Sequence, residues 1–179
     1  MQNKLNLELK YHCKDFAPIR EILKNVGAKK VGKFSQKDYF FNLPQNKKVP
    51  QRLKLRIQEN QSTLVYYKRG DFSKKSATVA KVSLLEVADK KFLDFLKKVL
   101  GTKAIVIKSR ELWKKDNTVF NLDTVKNIGK IFEIEVSVAG DVDKAKKEFN
   151  KYKEKFQPHL DKIVKGSNLD LILKTHPIV

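Results

Sequence analysis

Alternating apolar and polar residues recur along this chain and predict β-strands. Successive side chains of a half-buried strand point to opposite faces, so a period of two is the signature of such a strand. The alternation is clearest in LNLELKYH (5–12), QRLKLRIQ (51–58) and KIFEIEVSV (130–138). Similar runs predict further strands at KDYFFN (37–42), STLVYYKRG (62–70), ATVAKVSLLEV (77–87), AIVIKSRELWKK (104–115) and TVFNLDTV (118–125).

Three segments instead have the spacing of amphipathic helices, at residues 16–28, 89–101 and 141–156. Asp15 is a candidate N-cap for the first helix, and Gly27 is placed to end it. Seven or eight mainly antiparallel strands, several joined as hairpins, favour a closed barrel. The sequence therefore predicts an α+β fold, an antiparallel barrel with helices packed outside, as one domain spanning residues 1–179.

Composition narrows the possible classes of protein. The chain has 179 residues, one cysteine and a formal net charge of +19. It contains no apolar run long enough to span a membrane and no signal peptide, and the lone Cys13 suits a reducing compartment, so we expect a cytoplasmic protein. The charge favours a polyanionic partner, which could be nucleic acid, a membrane surface or a phosphorylated small molecule. A solvated, lysine-rich surface is the plainer alternative.

The polar faces of several predicted strands carry almost only charges. If these faces pointed to water they would form an ordinary surface, but inside a barrel they would line a tunnel that needs a ligand, since buried like charges are costly. A polyphosphate with a divalent metal satisfies both signs, because Lys and Arg bind phosphate and carboxylates hold Mg²⁺ or Mn²⁺. The faces in question contain Glu8 and Lys10, then Arg52, Lys54 and Arg56, then Lys108 and Arg110, then Asp123, and finally Glu133 and Glu135.

The sequence also resembles a known family over nearly its whole length. NLELK, RLKLRI, YYKRGD, KSRELW, NLDTVKNIGKIFEIEV and SNLDLIL stand in the order typical of CYTH proteins, also called triphosphate tunnel metalloenzymes. The family is named for class IV adenylate cyclase and thiamine triphosphatase, and this chain looks most like the cyclase-like branch. The resemblance implies an eight-stranded tunnel barrel that binds a triphosphate and a divalent metal. Members cleave nucleoside triphosphates, thiamine triphosphate or inorganic triphosphate, or cyclise ATP, and cyclase-like members often pair as homodimers.

The resemblance also implies a role for individual positions of this chain. Lys10 would contact phosphate or act near the attacking group, and Lys165 would stand at the tunnel mouth. The phosphates would be bound by Arg52, Lys54, Arg56, Arg69, Lys108 and Arg110. The acidic set, and hence the candidate ligands for Mg²⁺ or Mn²⁺, would be Glu8, Asp123, Glu133 and Glu135.

Asn6 departs from the family pattern, because many members have a glutamate there. One carboxylate fewer should weaken metal affinity, although Glu8, Glu133 and Glu135 remain. The resemblance therefore favours a metal-dependent enzyme acting on ATP, thiamine triphosphate or inorganic triphosphate. The alternative is a non-catalytic module that binds a nucleotide, polyphosphate or RNA in a barrel with a degenerate metal site.

Overall fold

Eight antiparallel strands close into a barrel, which confirms the predicted fold class. The computed structural model describes residues 2–44, 51–69, 78–89 and 91–175. The order of strands around the barrel is β1-β5-β4-β3-β2-β6-β7-β8. The strands are β1 (Gln2–His12), β2 (Lys29–Phe41), β3 (Gln51–Gln58), β4 (Gln61–Arg69), β5 (Thr78–Val87), β6 (Thr102–Lys115), β7 (Thr118–Val125) and β8 (Gly129–Ser137), and the helices are α1 (Ala17–Asn25), α2 (Phe92–Leu100), α3 (Val142–Phe156) and α4 (Asn168–Thr175).

Apolar residues on the outer face of the barrel pack beneath the helices. Phe120 and Phe132 of neighbouring strands contact Phe156 of α3, with ring centroids 5.6 and 4.8 Å from it. On another side, Leu96 of α2 packs in a cluster with Tyr39 and other residues of β2 and β3. Because alternate strand residues are used in this outer core, the intervening polar residues must face the interior of the barrel.

Two details differ from the sequence prediction. Strand β2 begins at Lys29, well before the predicted start at residue 37, because the lysine-rich segment that precedes the aromatic run pairs with β6. The N-cap position of α1 is Phe16, one residue after the predicted Asp15, whose carboxylate accepts hydrogen bonds from the backbone N–H groups of Phe16, at 2.7 Å, and Ala17. Gly27 lies at the end of this helix with φ 78°, as predicted.

Helix α4 packs against one end of the barrel. Leu169 is fully buried in a cluster with Phe40, Val106 and Ile131, which lie on three different strands. The helix begins with a capping arrangement, since the Asp170 carboxylate accepts hydrogen bonds from the N–H and hydroxyl of Ser167 at 2.7 and 2.8 Å. The α4 end of the barrel is therefore filled by an apolar cluster. Among the described residues, no helix combines the length and apolar character needed to cross a bilayer.

Candidate active site in the barrel

The inward-facing side chains enclose a cavity of about 320 Å³. This volume lies near the lower end of the range for small-molecule sites. Most of the residues singled out in the sequence meet here, because their strands all send alternate side chains inward. The polar residues that line the cavity are Lys4, Asn6, Glu8, Lys10, Asp38, Lys54, Arg56, Tyr67, Lys108, Arg110, Asn121, Glu133, Glu135, Ser167 and Asn168.

Three of the predicted metal ligands form one carboxylate cluster. Glu8, Glu133 and Glu135 each offer an oxygen within 4.8 Å of the others. Their proximity follows from the pairing of β1 with β8, which sets Glu8 opposite Glu135 and Lys10 opposite Glu133. An all-carboxylate donor set of this kind suits a hard divalent cation such as Mg²⁺ or Mn²⁺.

The electrostatics of the cluster also fit a cation. Burial and the neighbouring charge of Glu133 raise the pKa of Glu135. Burial alone would raise the pKa of Glu133 too, but the charges of Lys10 and Arg110 outweigh it and hold that pKa well below its usual range. A divalent cation placed among the carboxylates would favour the ionised form of both groups.

Asn6 contacts this cluster directly. Its side-chain amide donates a hydrogen bond to Glu135, and only 4% of the residue is exposed. The residue that replaces the family's glutamate is therefore a neutral partner of a candidate metal ligand. A neutral amide avoids placing another buried carboxylate beside Glu135, where like charges would repel.

A first pair of cations is organised around Asp38 of β2. The Asp38 carboxylate accepts hydrogen bonds from Lys54 at 2.6 Å and from two nitrogens of Arg56 at 2.8 and 2.9 Å. Burial would raise the pKa of Asp38, but Arg56 and Lys54 hold it well below its ordinary value. The ionised carboxylate fixes the two side chains of β3 with their remaining N–H groups available to a ligand.

A second pair has the same design around Asp123 of β7. Arg110 binds both Asp123 oxygens, at 2.7 and 2.6 Å, and Lys108 lies 2.8 Å from one of them. Arg110 also lies 3.2 Å from Glu133, so this pair adjoins the carboxylate cluster. Burial would raise the pKa of Asp123, but Arg110 and Lys108 lower it to about 2.

The two lysines of these pairs carry lowered pKa values. Burial and the charge of Arg110 lower the pKa of Lys108 to about 7. Burial and the charge of Arg56 lower the pKa of Lys54 to about 8. Each lysine lies beside an arginine that keeps its proton, so each pair sets two cations against one aspartate and would be stabilised by a bound anion.

Four of the residues predicted for the site are not among the described side chains that line the cavity. Asp123 stands outside the carboxylate cluster, with its oxygens on Arg110 and Lys108. Arg52 does not line the cavity and forms an ion pair with Asp170 of α4 at 3.0 Å. Lys165 is exposed in an outer groove, away from the cavity. Arg69 ends β4, but its side chain falls outside the described part of the structure.

Two charged residues that line the cavity, Asp38 and Lys4, were not among the residues predicted from the sequence. Asp38 was passed over because KDYFFN reads as an aromatic strand, although alternation places Asp38 and Phe40 on one face. Val65 and Tyr67 also line the cavity, which identifies the inward face of β4. Lys4 precedes the recognised motif by two residues and also lines the cavity.

Comparisons with known proteins agree with this geometry. The profile of the CYTH domain matches residues 4–167. A Methanocaldococcus jannaschii protein named "Putative adenylate cyclase MJ0240" is 27% identical over 173 residues, covering 93% of this chain and 98% of that protein.

Solved structures share the fold. The PH1012 protein of Pyrococcus horikoshii superposes with a TM-score of 0.76 at 23% identity, covering 93% of this chain and 98% of that one. HpAC1 from Hippeastrum, described as a "putative adenylyl cyclase" with a dominant triphosphatase activity, has a TM-score of 0.62 at 10% identity, with 98% and 97% covered. With the profile matching almost the entire length, and a barrel lined by carboxylates and cations, this chain belongs to the CYTH domain family.

Proposed function

We propose that the chain is a divalent-metal-dependent triphosphatase that cleaves the terminal phosphate of a triphosphate bound inside the barrel. One observation carries this proposal. The Glu8, Glu133 and Glu135 cluster adjoins the cation pairs directly, because Glu133 contacts both Lys10 and Arg110. A site that only bound polyanions would gain nothing from three carboxylates gathered inside the barrel, two of them buried.

Glu8, Glu133 and Glu135 would hold the Mg²⁺ or Mn²⁺ ion. When bound, such an ion supplies Lewis-acid stabilisation of charge on phosphoryl oxygens. Phosphoryl transfer needs little covalent chemistry from the protein. It depends on positioning the reacting groups and on stabilising the negative charge of the transition state. The family's chemistry therefore fits the donor groups that this chain provides.

The paired cations would bind the phosphate chain. Arg56 and Arg110 keep their charge at all relevant pH values, and their planar guanidinium groups can each bind two phosphate oxygens. Lys54 and Lys108 would neutralise further phosphate oxygens as point charges. Lys10, which contacts Glu133 and lies 3.7 Å from Glu8, would donate to the phosphoryl group nearest the carboxylates.

The filled end of the barrel supports cleavage at the terminal phosphate. Lys10 is the last residue of β1 that lines the cavity, and its backbone carbonyl accepts a hydrogen bond at 2.9 Å from the N–H of Val164, which lies in the segment leading into α4. A triphosphate that enters from the other end would bring its terminal phosphate toward Lys10, Glu8 and Glu133. Water would then attack the terminal phosphorus, and the bond to the bridging oxygen would break, releasing orthophosphate and a diphosphate.

Cyclisation of ATP is the second candidate, favoured by the name of the Methanocaldococcus jannaschii relative. In that reaction the ribose 3′-hydroxyl attacks the innermost phosphorus and pyrophosphate leaves. The two reactions differ in which phosphorus lies beside Glu8, Glu133 and Glu135. Their products therefore distinguish them without further structural information.

The test is to incubate the protein with ATP, thiamine triphosphate and inorganic triphosphate, each with Mg²⁺ or Mn²⁺, and to identify the products. We expect metal-dependent release of orthophosphate, abolished in Glu133→Gln and retained in Glu86→Gln, which changes an exposed glutamate of β5. Pyrophosphate with cyclic AMP would assign the cyclase reaction instead. Absence of turnover on every substrate, with triphosphate still bound, would contradict the proposal and favour a binding module.

A further inference from the structure

The charged residues extend along the whole cavity on β1 but along only part of it on β6. On β1 the inward series runs from Lys10, near α4, through Glu8 and Asn6 to Lys4. Neighbouring strands are antiparallel. The Lys4 end of the barrel therefore lies at the high-numbered ends of β5 and β6 and at the low-numbered end of β7. This end lies opposite the apolar cluster around α4.

On β6 and β7 the inward series becomes apolar toward the Lys4 end, and the residues of β5 that line the cavity are apolar throughout. On β6, Leu112 is one inward position beyond Arg110, and on β7, Val119 is one inward position beyond Asn121. On β5, Leu84 follows Val82, which pairs with Lys4 of β1. We call Leu84, Leu112 and Val119 the mouth collar, since all three line the cavity at its Lys4 end.

The accessibility of these residues agrees with their position at an opening. Asn6, Glu8 and Asn121 are buried, whereas the mouth collar is half-buried and Lys4 is exposed. A second cavity of about 410 Å³ adjoins this end and shares Lys4, Asn6, Val119 and Glu135 with the first. Together the two cavities give room for more than a phosphate chain.

An apolar opening does little for inorganic triphosphate. Its oxygens would lose water against the mouth collar without gaining hydrogen bonds there, which costs free energy. The carbon-bearing group of an organic triphosphate would instead bury apolar surface against the same residues, at about 25 cal/mol per Å². The two kinds of substrate should therefore differ in affinity although their phosphates meet the same cations.

We propose that the mouth collar binds the organic group of an organic triphosphate and makes the enzyme prefer such substrates to inorganic triphosphate. This inference rests on the proposed function, because it assumes that the phosphate chain lies among the cations described above. The substrate would enter phosphate-first through the Lys4 end, with its organic group between the mouth collar and the adjoining cavity. Leu84, Leu112 and Val119 are then specificity-determining residues.

The experiment compares kcat/KM for ATP and thiamine triphosphate with that for inorganic triphosphate, with Mg²⁺ present. We expect the wild-type protein to prefer at least one organic substrate by about tenfold or more, the scale of selection by an apolar pocket. Leu84→Lys adds a cation at the mouth and should lower this preference by about tenfold. Leu85→Lys, on the outer face of the same strand, adds the same charge and should leave the preference unchanged, because Leu85 is already exposed.

A second pair of variants keeps the inference testable if Leu84→Lys does not fold. Val119→Lys should act like Leu84→Lys, and its matched control is Val31→Lys on the outer surface.

A wild-type preference for inorganic triphosphate, or equal loss of the preference in inward and outward variants, would overturn the inference while leaving the triphosphatase proposal standing. If no substrate turns over, the proposed function fails, and calorimetric affinities for ATP and inorganic triphosphate decide the role of the mouth collar. Equal or tighter binding of inorganic triphosphate would then overturn it.

Discussion

At the scale of single residues, the site is built from carboxylates in two kinds of surroundings. Glu8, Glu133 and Glu135 gather together, which suits a metal ion. Asp38 and Asp123 each hold a lysine and an arginine. The two kinds of site differ in their balance of charge, since three carboxylates gather around Lys10 and Arg110 in the cluster whereas each aspartate faces two cations.

Replacement of Asp123 by Asn separates these two roles. Because Asp123 is 1% exposed and binds Arg110 through two oxygens, its loss leaves buried cations uncompensated. We expect unfolding free energy to fall by about 3–5 kcal/mol in denaturant titrations. Asp116→Asn, at an exposed turn, should have almost no effect.

Metal affinity gives the second readout for Asp123. If Asp123 only positions Arg110 and Lys108, the affinity of folded Asp123→Asn for Mn²⁺ should stay near that of the wild type. A loss of Mn²⁺ binding as large as that of Glu133→Gln would instead show that Asp123 is a metal ligand.

The pKa values of Lys108 and Lys54 predict a pH-dependent affinity for triphosphate. With pKa values of about 7 and 8, the two lysines lose their protons as the pH rises from neutral to alkaline. Bound phosphate favours the charged lysines, so binding takes up protons and affinity falls with rising pH, by up to about tenfold per unit for each proton.

Calorimetry between about pH 7 and pH 9 measures this effect, and buffers of different ionisation enthalpy count the protons. Lys108→Arg keeps its charge throughout this range and should flatten the profile. An affinity that rises with pH in the wild-type protein would contradict the assignment of these lysines to the phosphate chain.

At the scale of elements, alternation located all eight strands because each has one face in the outer core and one face in the tunnel. Alternation fixes the face of a side chain, and it is silent about what packs against the end of the barrel. Alternation placed Arg52 on the same face as Lys54 and Arg56, whereas α4 takes up Arg52 through Asp170. The tunnel position of Lys165 was implied by the family resemblance alone. The role of Asp38 was equally hidden, since it depends on the register between β2 and β3.

Helix α4 should depend on Asp170. One Asp170 oxygen accepts from Ser167 and the other from Arg52, so Asp170→Asn leaves one acceptor oxygen for the two contacts and removes the charge that pairs with Arg52. We expect a local loss of about 1–2 kcal/mol, seen as faster amide hydrogen exchange in residues 168–175. Asp94→Asn, at an exposed position of α2, is the matched control. Unchanged exchange in Asp170→Asn would mean that apolar packing alone holds α4.

At the scale of the whole molecule, the cations behind the net charge of +19 lie in two places, inside the cavity and on the outer surface. The cations of the cavity are ion-paired with Asp38, Asp123 and Glu133. Many other lysines, such as Lys33, Lys98 and Lys151, are exposed and give the outer surface a positive field. That field would attract a charged substrate and would also bind nucleic acid without sequence preference, so affinity for polyanions alone does not identify the site.

The most direct measurement is calorimetric binding of a β,γ-imido analogue of ATP, which resists hydrolysis of the terminal phosphate, with Mg²⁺ and with a chelator. We expect Mg²⁺ to tighten binding by more than about tenfold in the wild-type protein. Glu133→Gln/Glu135→Gln should lose this dependence and keep metal-free binding, because Arg56 and Arg110 remain. Binding that is indifferent to Mg²⁺ but weakens steeply with salt would contradict a metal-dependent triphosphate site and indicate a general polyanion binder.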